Sequence, residues 1–379
     1  MKVLVDSLGA KIGGAATYAL NVFPLMGKLA PSDRFAVYLS EKLAPKLVDP
    51  PPNLEIRTAP RAERSALAHL LWQQAALPRI ARREGFDVLY SAMSFSPLSC
   101  RARRVLLVRN PVYFSALYFR RLRARGARAT VLARRALSVA SMRTADLVIF
   151  PTCAMMRLAD RWARLPQRRM RAIHYGFDWS DFDREPEGPV PEMLRRMEED
   201  RGFKILAVSH LCDQKNYATL FRAIGLAARA APGMRLYVAG WIHDHPWFAG
   251  SEEERALGEC PEGSVVFLGR LDRGHLRRAY EAASAFAFPS YLESFGHPMV
   301  EAMSFGLPVL AADAPVNREV CADAAVYHGP FDAHDLAGKL VMLAGDAAAR
   351  DDLAAKARER ARAFSWEAHV RAVLAVLGR

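Results

Sequence analysis

The sequence predicts an α/β protein made of two doubly wound parallel-sheet domains, and three observations predict it. Short apolar runs alternate with longer amphipathic ones along the whole chain, the pattern of parallel strands joined by crossover helices. That pattern breaks in a stretch with acids, Gly188 and three prolines between Asp181 and Pro191, and then restarts. The 379 residues exceed one ordinary core, so two domains of about 180 residues each are expected. With 51% hydrophobic and 25% charged residues, the chain reads as globular and not disordered.

The first half opens with the buried strand Val3–Asp6, a glycine-bearing turn from Ser7 to Gly14 that includes Ile12, and a helix from about Ala15 to Leu29. Strand, turn and helix in that order begin a doubly wound domain. The turn is not Gly-x-Gly-x-x-Gly, so it carries no dinucleotide fingerprint. The pair Gly13-Gly14 lets a phosphate or sugar lie against bare backbone. Further strands are expected at Phe35–Ser40, Leu54–Arg57, Asp87–Ser91, Val105–Val108, Leu147–Phe150 and Ala172–Tyr175. Helices fill the gaps at about Ser65–Arg83, Arg120–Arg143 and Met155–Arg164. The strand at Val105–Val108 ends in Arg109-Asn110, where ligands of such sheets bind.

Charge is unevenly placed. Residues 1–185 carry 31 Lys+Arg against 14 Asp+Glu, and residues 186–379 carry 22 against 26. Between Asp87 and Asp146 stand twelve arginines and no acid. The asymmetry predicts an anionic partner for the first half, or else a solvated arginine-rich face. Tyr113 to Arg125 mixes aromatic and basic residues, which suits an anionic membrane surface. It equally suits an ordinary amphipathic helix, and less well single-stranded nucleic acid. Five scattered cysteines without Cys-x-x-Cys spacing argue for reduced thiols, no zinc site and no disulfide framework. The first residues run straight into a strand, so no signal peptide is expected. No run of about eighteen apolar residues occurs, so no membrane span is expected either.

The second half starts with the strand Lys204–Val208, a loop from Ser209 to Asn216, and a helix from about Tyr217 to Ala231, which Asp213 or Asn216 could cap. Lys215 just before a helix start marks a place for an anion. Strands follow at Leu236–Gly240, Val265–Gly269, Ala285–Pro289, Pro308–Ala311 and Ala325–Tyr327, with Arg270 and Leu271 just beyond the second of these. The element Glu293 to Glu301 stands at the centre. Gly296 allows close backbone approach, and Pro298 fits the first position of a helix that Gly306 ends. Ser294, Phe295, Gly296, His297 and Pro298 are then expected to present amides at a helix N-terminus, an anion site. Glu293 and Glu301, eight residues apart, cannot form an adjacent dyad on one helix face, so they touch different parts of one ligand.

Glu-x7-Glu with Phe-Gly-x-Pro inside it resembles the signature of the retaining glycosyltransferases of family 4, glycosyl transferases group 1. The resemblance covers nearly the whole chain, tightly in the second half and loosely in the first. It implies the GT-B fold: two Rossmann-like domains facing across a cleft, with a last helix crossing back to the first. The expected divisions are an acceptor domain at 1–185, a donor domain at 186–362, and a returning helix at 363–379 that begins with a capping-box-like Ser365. Ile173 to Asp178 resembles the element before the interdomain linker, and a hinge there would let the halves close.

The resemblance also implies roles. Glu293 sits by the donor sugar and Glu301 by the ribose, where its two oxygens would take both hydroxyls. Lys215 and Asn216 match the segment that holds the donor phosphates, with His210 in place of an arginine; that replacement weakens the clamp or makes it pH-sensitive. Gly13 and Gly14 face the donor, and Arg270 and Leu271 lie by the base. Arg109 stands where the family commonly has histidine. It stays protonated and cannot be a base, so Arg109 and Asn110 are candidates for holding an acceptor or the donor. The implied activity is transfer of a hexose-type sugar, with retention, from a UDP- or GDP-linked donor to a glycan or lipid-linked acceptor of cell-surface polysaccharide or glycolipid. No cofactor and no metal are expected, since no Asp-x-Asp occurs. The expected place is the cytoplasm or the inner face of the cell membrane, and nucleic acid is not the expected partner. The opposing reading is a non-catalytic anion- or RNA-binding protein using the basic half. A phosphorylase- or epimerase-like enzyme of the same architecture would need a cofactor lysine or epimerase site, and neither is visible.

Overall fold

The computed structural model describes residues 1–11, 13–122, 125–179, 182–183, 185–242 and 245–378. Ile12 of the glycine turn, Arg123 and Ala124 of the basic segment, and Asp181 of the expected linker lie outside the described residues. The chain divides into two compact units, one formed by Met1–Gly176 with Ser365–Arg379 and the other by Phe177–Phe364.

Unit 1 holds β1 (Lys2–Asp6), β2 (Arg34–Tyr38), β3 (Leu54–Arg57), β4 (Val88–Ser91), β5 (Arg103–Leu107), β6 (Leu147–Phe150) and β7 (Met170–Ala172). They form one parallel sheet in the order β3-β2-β1-β4-β5-β6-β7. Strands such as β4 and β6 are buried along their whole length, which is why they read as unbroken apolar runs. The winding reverses between β1 and β4, and a crevice opens beyond the strand ends at such a reversal.

Unit 2 repeats the plan with β8 (Lys204–Val208), β9 (Arg235–Ala239), β10 (Val265–Gly269), β11 (Ala285–Phe288), β12 (Val309–Ala312) and β13 (Ala325–His328). Its order is β10-β9-β8-β11-β12-β13, again all parallel, with the reversal between β8 and β11. Its core gathers Phe221, Ile224, Leu236, Leu310, Leu336 and Leu340 from the strands and the helices beside them.

Three expectations on elements need correction. The seventh strand lies at Met170–Ala172 and not at Ala172–Tyr175; Tyr175 instead packs its ring against Tyr18, Trp366 and His369. The helix expected over Ser65–Arg83 is broken into Ala66–Leu71, a π-helical turn at Trp72–Ala76, and Leu77–Arg83. Pro78 has no N–H to offer the carbonyl one turn earlier, and the widened turn absorbs that mismatch. The helix expected over Arg120–Arg143 is two helices, Ala116–Arg121 and Arg125–Thr144.

The unit boundary falls at Gly176, earlier than residue 185. Phe182 and Trp179 pack on Phe305, and Phe182 on Tyr280, so this stretch joins the core of unit 2. The expected linker also rests on unit 2, through Arg277 with Asp183 and the Glu187 amide with Asp272. Ser365 caps the last helix, Trp366–Leu377, by accepting from the Ala368 amide, but Glu367 is one place too early to complete a capping box. That helix belongs to unit 1. A Cβ at Gly176 would lie 2.0 Å from the Trp366 nitrogen, so only glycine allows this crossing of the two segments.

The returning helix is fixed by a directed chain of hydrogen bonds. His369 Nδ1 donates to the His174 carbonyl (2.7 Å), which leaves Nε2 to accept from the Tyr18 hydroxyl (3.1 Å). Tyr18 then accepts from Tyr90 (2.5 Å). His369 is 2% exposed, and burial pulls its pKa down to about 4, with the nearby Arg109 charge adding to the effect against the His174 bond.

Candidate active site

In unit 2 the loops after β8 and β11 meet at the reversal of the sheet. Lys215 ends a short 3-10 turn, Asp213–Lys215, after β8. Glu293 lies in the loop after β11. The Lys215 ammonium donates to Glu293 Oε1 at 2.6 Å, with side chains 13% and 14% exposed, and lies 5.3 Å from the centre of the Phe288 ring. Burial alone would lower the lysine pKa; the Glu293 carboxylate outweighs it and holds the value above normal. Lys215 is therefore a fixed cation. Burial pushes the neighbouring Cys212 thiol up to about 12, against the pull of Lys215, so it is no thiolate nucleophile.

Tyr291 ties the two loops together. Its amide donates to the Gln214 carbonyl (3.1 Å) and its hydroxyl to Asp213 Oδ2. Asn216 does the same from the other side. It adopts a left-handed conformation (φ 54°, ψ 42°) at the start of the helix Tyr217–Ala230, without a side-chain cap bond. Its amide group donates to the carbonyls of Pro289 and Pro330, and its Oδ1 accepts from Thr219. The side chain is buried, and its donors and Oδ1 are already engaged within the protein. His210 follows β8 in the same loop. Partial desolvation holds its pKa below normal, the Lys215 and His245 charges lower it further, and Glu293 opposes them.

Gly296 (φ 92°) precedes the helix His297–Ser304. Pro298 therefore takes the second helical position and not the first. A Cβ at Gly296 would sit 2.5 Å from Met299 Cε, on a backbone that other residues adopt only with strain. Phe295 is 1% exposed and packs on Phe364 and His297, so of this residue only the backbone is left to face a ligand. Ser294, His297 and Pro298 stand half-buried at the same helix entrance.

Glu301 lies inside that helix and is 7% exposed. Its Oε1 accepts from Arg273 (2.8 Å) and its Oε2 from the Tyr280 hydroxyl (2.9 Å). Both oxygens thus already carry a protein donor, and a ribose would share them through the remaining lone pairs. Arg270, beyond β10, holds its guanidinium 4.6 Å from the Trp241 ring centre, and the half-buried Leu271 follows it. Sequence reasoning missed Arg273, Tyr280, Tyr291 and Trp241. Only Trp241 left a signal, an aromatic residue directly after the glycine that ends a strand.

Unit 1 carries a separate crevice. A cavity of about 700 Å³ lies beyond the ends of β1, β4 and β5, at the reversal of that sheet. Arg109 and Asn110 line it, as do Gly9, Gln73, Met93 and Phe95. Arg109 lies 5.4 Å from the ring centres of both Tyr18 and Tyr175. Asn110 accepts from the Val112 amide (3.2 Å) and so shapes its own loop. Gln73, turned inward by the π-helical turn, donates to Asp6 at 2.6 Å. Gly13 and Gly14 open the helix Gly13–Leu29 in the same unit, and Ala15 reaches the cavity.

The basic aromatic segment is less exposed than its sequence suggests. Tyr113 and Phe114 are core residues at 6% and 1% exposure. Arg135 is buried too, 3.9 Å from the Trp162 ring centre, with its Nε donating to the Tyr113 carbonyl. Leu117, Arg120 and Arg121 remain as an outward patch. None of the five cysteines is in a disulfide, and no described helix is long and apolar enough to cross a membrane.

Residues 195–360 match the family described as Glycosyl transferases group 1. O-antigen chain mannosyltransferase B of Escherichia coli is 32% identical over 128 residues, which cover 34% of this chain and 32% of that protein. A D-inositol 3-phosphate glycosyltransferase of Nocardioides is 30% identical over 224 residues, 56% of this chain and 48% of that one. The chain therefore spans about a third to a half of the length of these relatives. The crystal structure of HepE from Anabaena, in complex with UDP and glucose, covers 100% of this chain and 99% of its own, with a TM-score of 0.73 at 21% identity. WaaG, a glycosyltransferase involved in lipopolysaccharide biosynthesis, covers 100% and 99%, with a TM-score of 0.73 at 15% identity. These two likenesses establish the fold.

Proposed function

We propose that this protein, whose residues 195–360 belong to the glycosyl transferases group 1, moves a hexose-type sugar from a nucleotide diphosphate donor to a glycan or lipid-linked acceptor, with retention at the anomeric carbon. The observation that carries the proposal is the Lys215–Glu293 pair, 2.6 Å apart at the sheet reversal of unit 2 and three residues from the Gly296 helix entrance. The relatives' names, an O-antigen mannosyltransferase and an inositol phosphate glycosyltransferase among them, support a role in cell-surface polysaccharide or glycolipid assembly.

The hard step is the departure of the nucleoside diphosphate. As the bond from the anomeric carbon to the phosphate oxygen breaks, negative charge grows on the diphosphate and positive charge on the sugar ring. Lys215 and the helix entrance at Gly296 would meet the first, and Glu293 the second. Glu293 also takes donor hydroxyls, and Glu301, aimed by Arg273 and Tyr280, takes the ribose. The acceptor oxygen bonds to the anomeric carbon on the face the diphosphate leaves, and its proton passes to a departing phosphate oxygen. No metal ion is part of this route. The site of action would be the cytoplasm or the inner face of the membrane, with the Leu117–Arg121 patch as the membrane contact.

The test is thermal stabilisation by UDP and GDP, followed by a panel of UDP-, GDP-, ADP- and dTDP-sugars read by donor hydrolysis. Stabilisation by one nucleotide and consumption of one of its sugars is the expected result. Binding of RNA with no nucleotide effect would instead favour the anion-binding reading.

A further inference from the structure

Resting on that reading, we infer that the unit 1 cavity binds the hydrocarbon of a lipid-phosphate acceptor, so that the acceptor is a single-chain isoprenyl- or alkyl-phosphate conjugate and not a bare glycan. Leu67, Leu70, Met93, Phe95 and Leu137 form its walls. A glycan lodged there would leave hydroxyls without partners, a cost a hydrocarbon does not incur. The volume of about 700 Å³ suits a small amphiphile.

The polar part of the lining has one sign. Arg109 and Arg134 are its charged lining residues, and among the described residues no carboxylate lines the cavity. The positive charge of Arg134 acts on the Tyr113 hydroxyl, which also lines the cavity. His69 Nε2 is buried with no hydrogen-bond partner among the described residues, and His69 too lines the cavity. Two arginines fit a phosphate, and an apolar wall fits the chain attached to it. The apolar character continues outward, since Leu67 is 64% exposed at the lining and Leu71, one helical turn on, is 60% exposed.

The experiment titrates the full chain, without donor, with hexyl, octyl and decyl monophosphate below their micelle concentrations. Matched alcohols and inorganic phosphate are run beside them. Affinity should rise about fourfold per added methylene until the cavity is full. The alcohol of equal length should bind about tenfold more weakly, and Arg134→Gln should narrow that gap. Ala133→Trp, on an exposed helix position that lines the cavity, should flatten the chain-length dependence without unfolding the protein. Equal affinity for hexyl and decyl phosphate would overturn the inference, as would an unchanged series in Ala133→Trp. Displacement of the decyl probe by phosphatidylglycerol vesicles would assign the cavity to membrane lipid and overturn the acceptor assignment. A UDP and GDP titration of the same sample separates the two claims. A flat alkyl series with nucleotide binding sinks this inference alone; a graded series with no nucleotide binding sinks the donor reading and leaves the cavity assignment standing.

Discussion

The two units reverse their sheets in the same way and furnish the two crevices differently. In unit 2 the crevice holds lysine, histidine and glutamate, two of them ion-paired at 2.6 Å. In unit 1 it holds two arginines, His69, a few neutral polar groups and apolar side chains, with no carboxylate in the lining among the described residues. A set with both signs of charge suits a group on which charge develops during reaction. A set with arginines as its only acid–base charges amid apolar walls suits a group that is held and not altered. One topology thus supplies two chemistries, and the difference lies in the loops after the strands.

The comparison breaks first at Lys215. Replacing it with alanine should lower transfer about 100- to 1,000-fold while alkyl-phosphate binding to unit 1 stays unchanged. Initial rates with the accepted donor check this, and full activity would remove Lys215 from the chemistry.

A second test concerns unit 1 and pH. The folded pKa of His369, about 4, lies below its ordinary 6.5, so between these values the folded protein binds fewer protons than the unfolded chain. Stability that is whole above pH 6.5 should therefore fall as the pH drops toward 4, by about 3 kcal/mol in all. Urea denaturation at several pH values should show this loss, and the His369→Gln variant should lack it.

Glu301→Gln sharpens the donor side. The amide keeps an oxygen for one partner but loses the charge, so nucleotide affinity should drop about tenfold. Isothermal titration with UDP and GDP decides it; unchanged affinity would reject the ribose role.

The smallest effect is expected at His210. Its lowered pKa leaves it neutral near pH 7, and a bound diphosphate would raise that pKa. The bound state then takes up protons, and affinity should rise a few-fold as the pH falls toward 6. Arginines do not titrate there, so alkyl methyl phosphate diesters, whose single charge is fixed, should show no matching trend. Calorimetry in two buffers of different ionisation enthalpy measures the uptake directly.

Much of this was legible in the residues. The strands announced themselves because buried parallel strands are apolar throughout, and β7 was misplaced because Ile173-His174-Tyr175 is apolar for another reason: Tyr175 packs among aromatic rings. Lys215 and Glu293 stood out because each stands within a few residues of a helix start, a local pattern, and the structure pairs them. Arg273 and Tyr280 did not, because their role depends on a helix that a different strand delivers beside Glu301. The unit 1 cavity left one local trace, Arg109-Asn110 at a strand end, and its apolar walls left none. Its walls come from three strand ends, the helix Ala66–Leu71, a π-helical turn and the helix Arg125–Thr144, whose charged sequence gave no hint of Leu137 turning toward a cavity.

Gly176 and the bond from His369 to the His174 carbonyl carry one more consequence, and it concerns time. A ribosome releases residues 177–364, all of unit 2, before it releases Ser365–Arg379. Tyr18 and Tyr175 must wait for that last segment to cover them, so the nascent protein completes its second lobe first. Helpers that shield sticky surface during synthesis should therefore engage the early-made half, the reverse of the usual amino-terminal-first order.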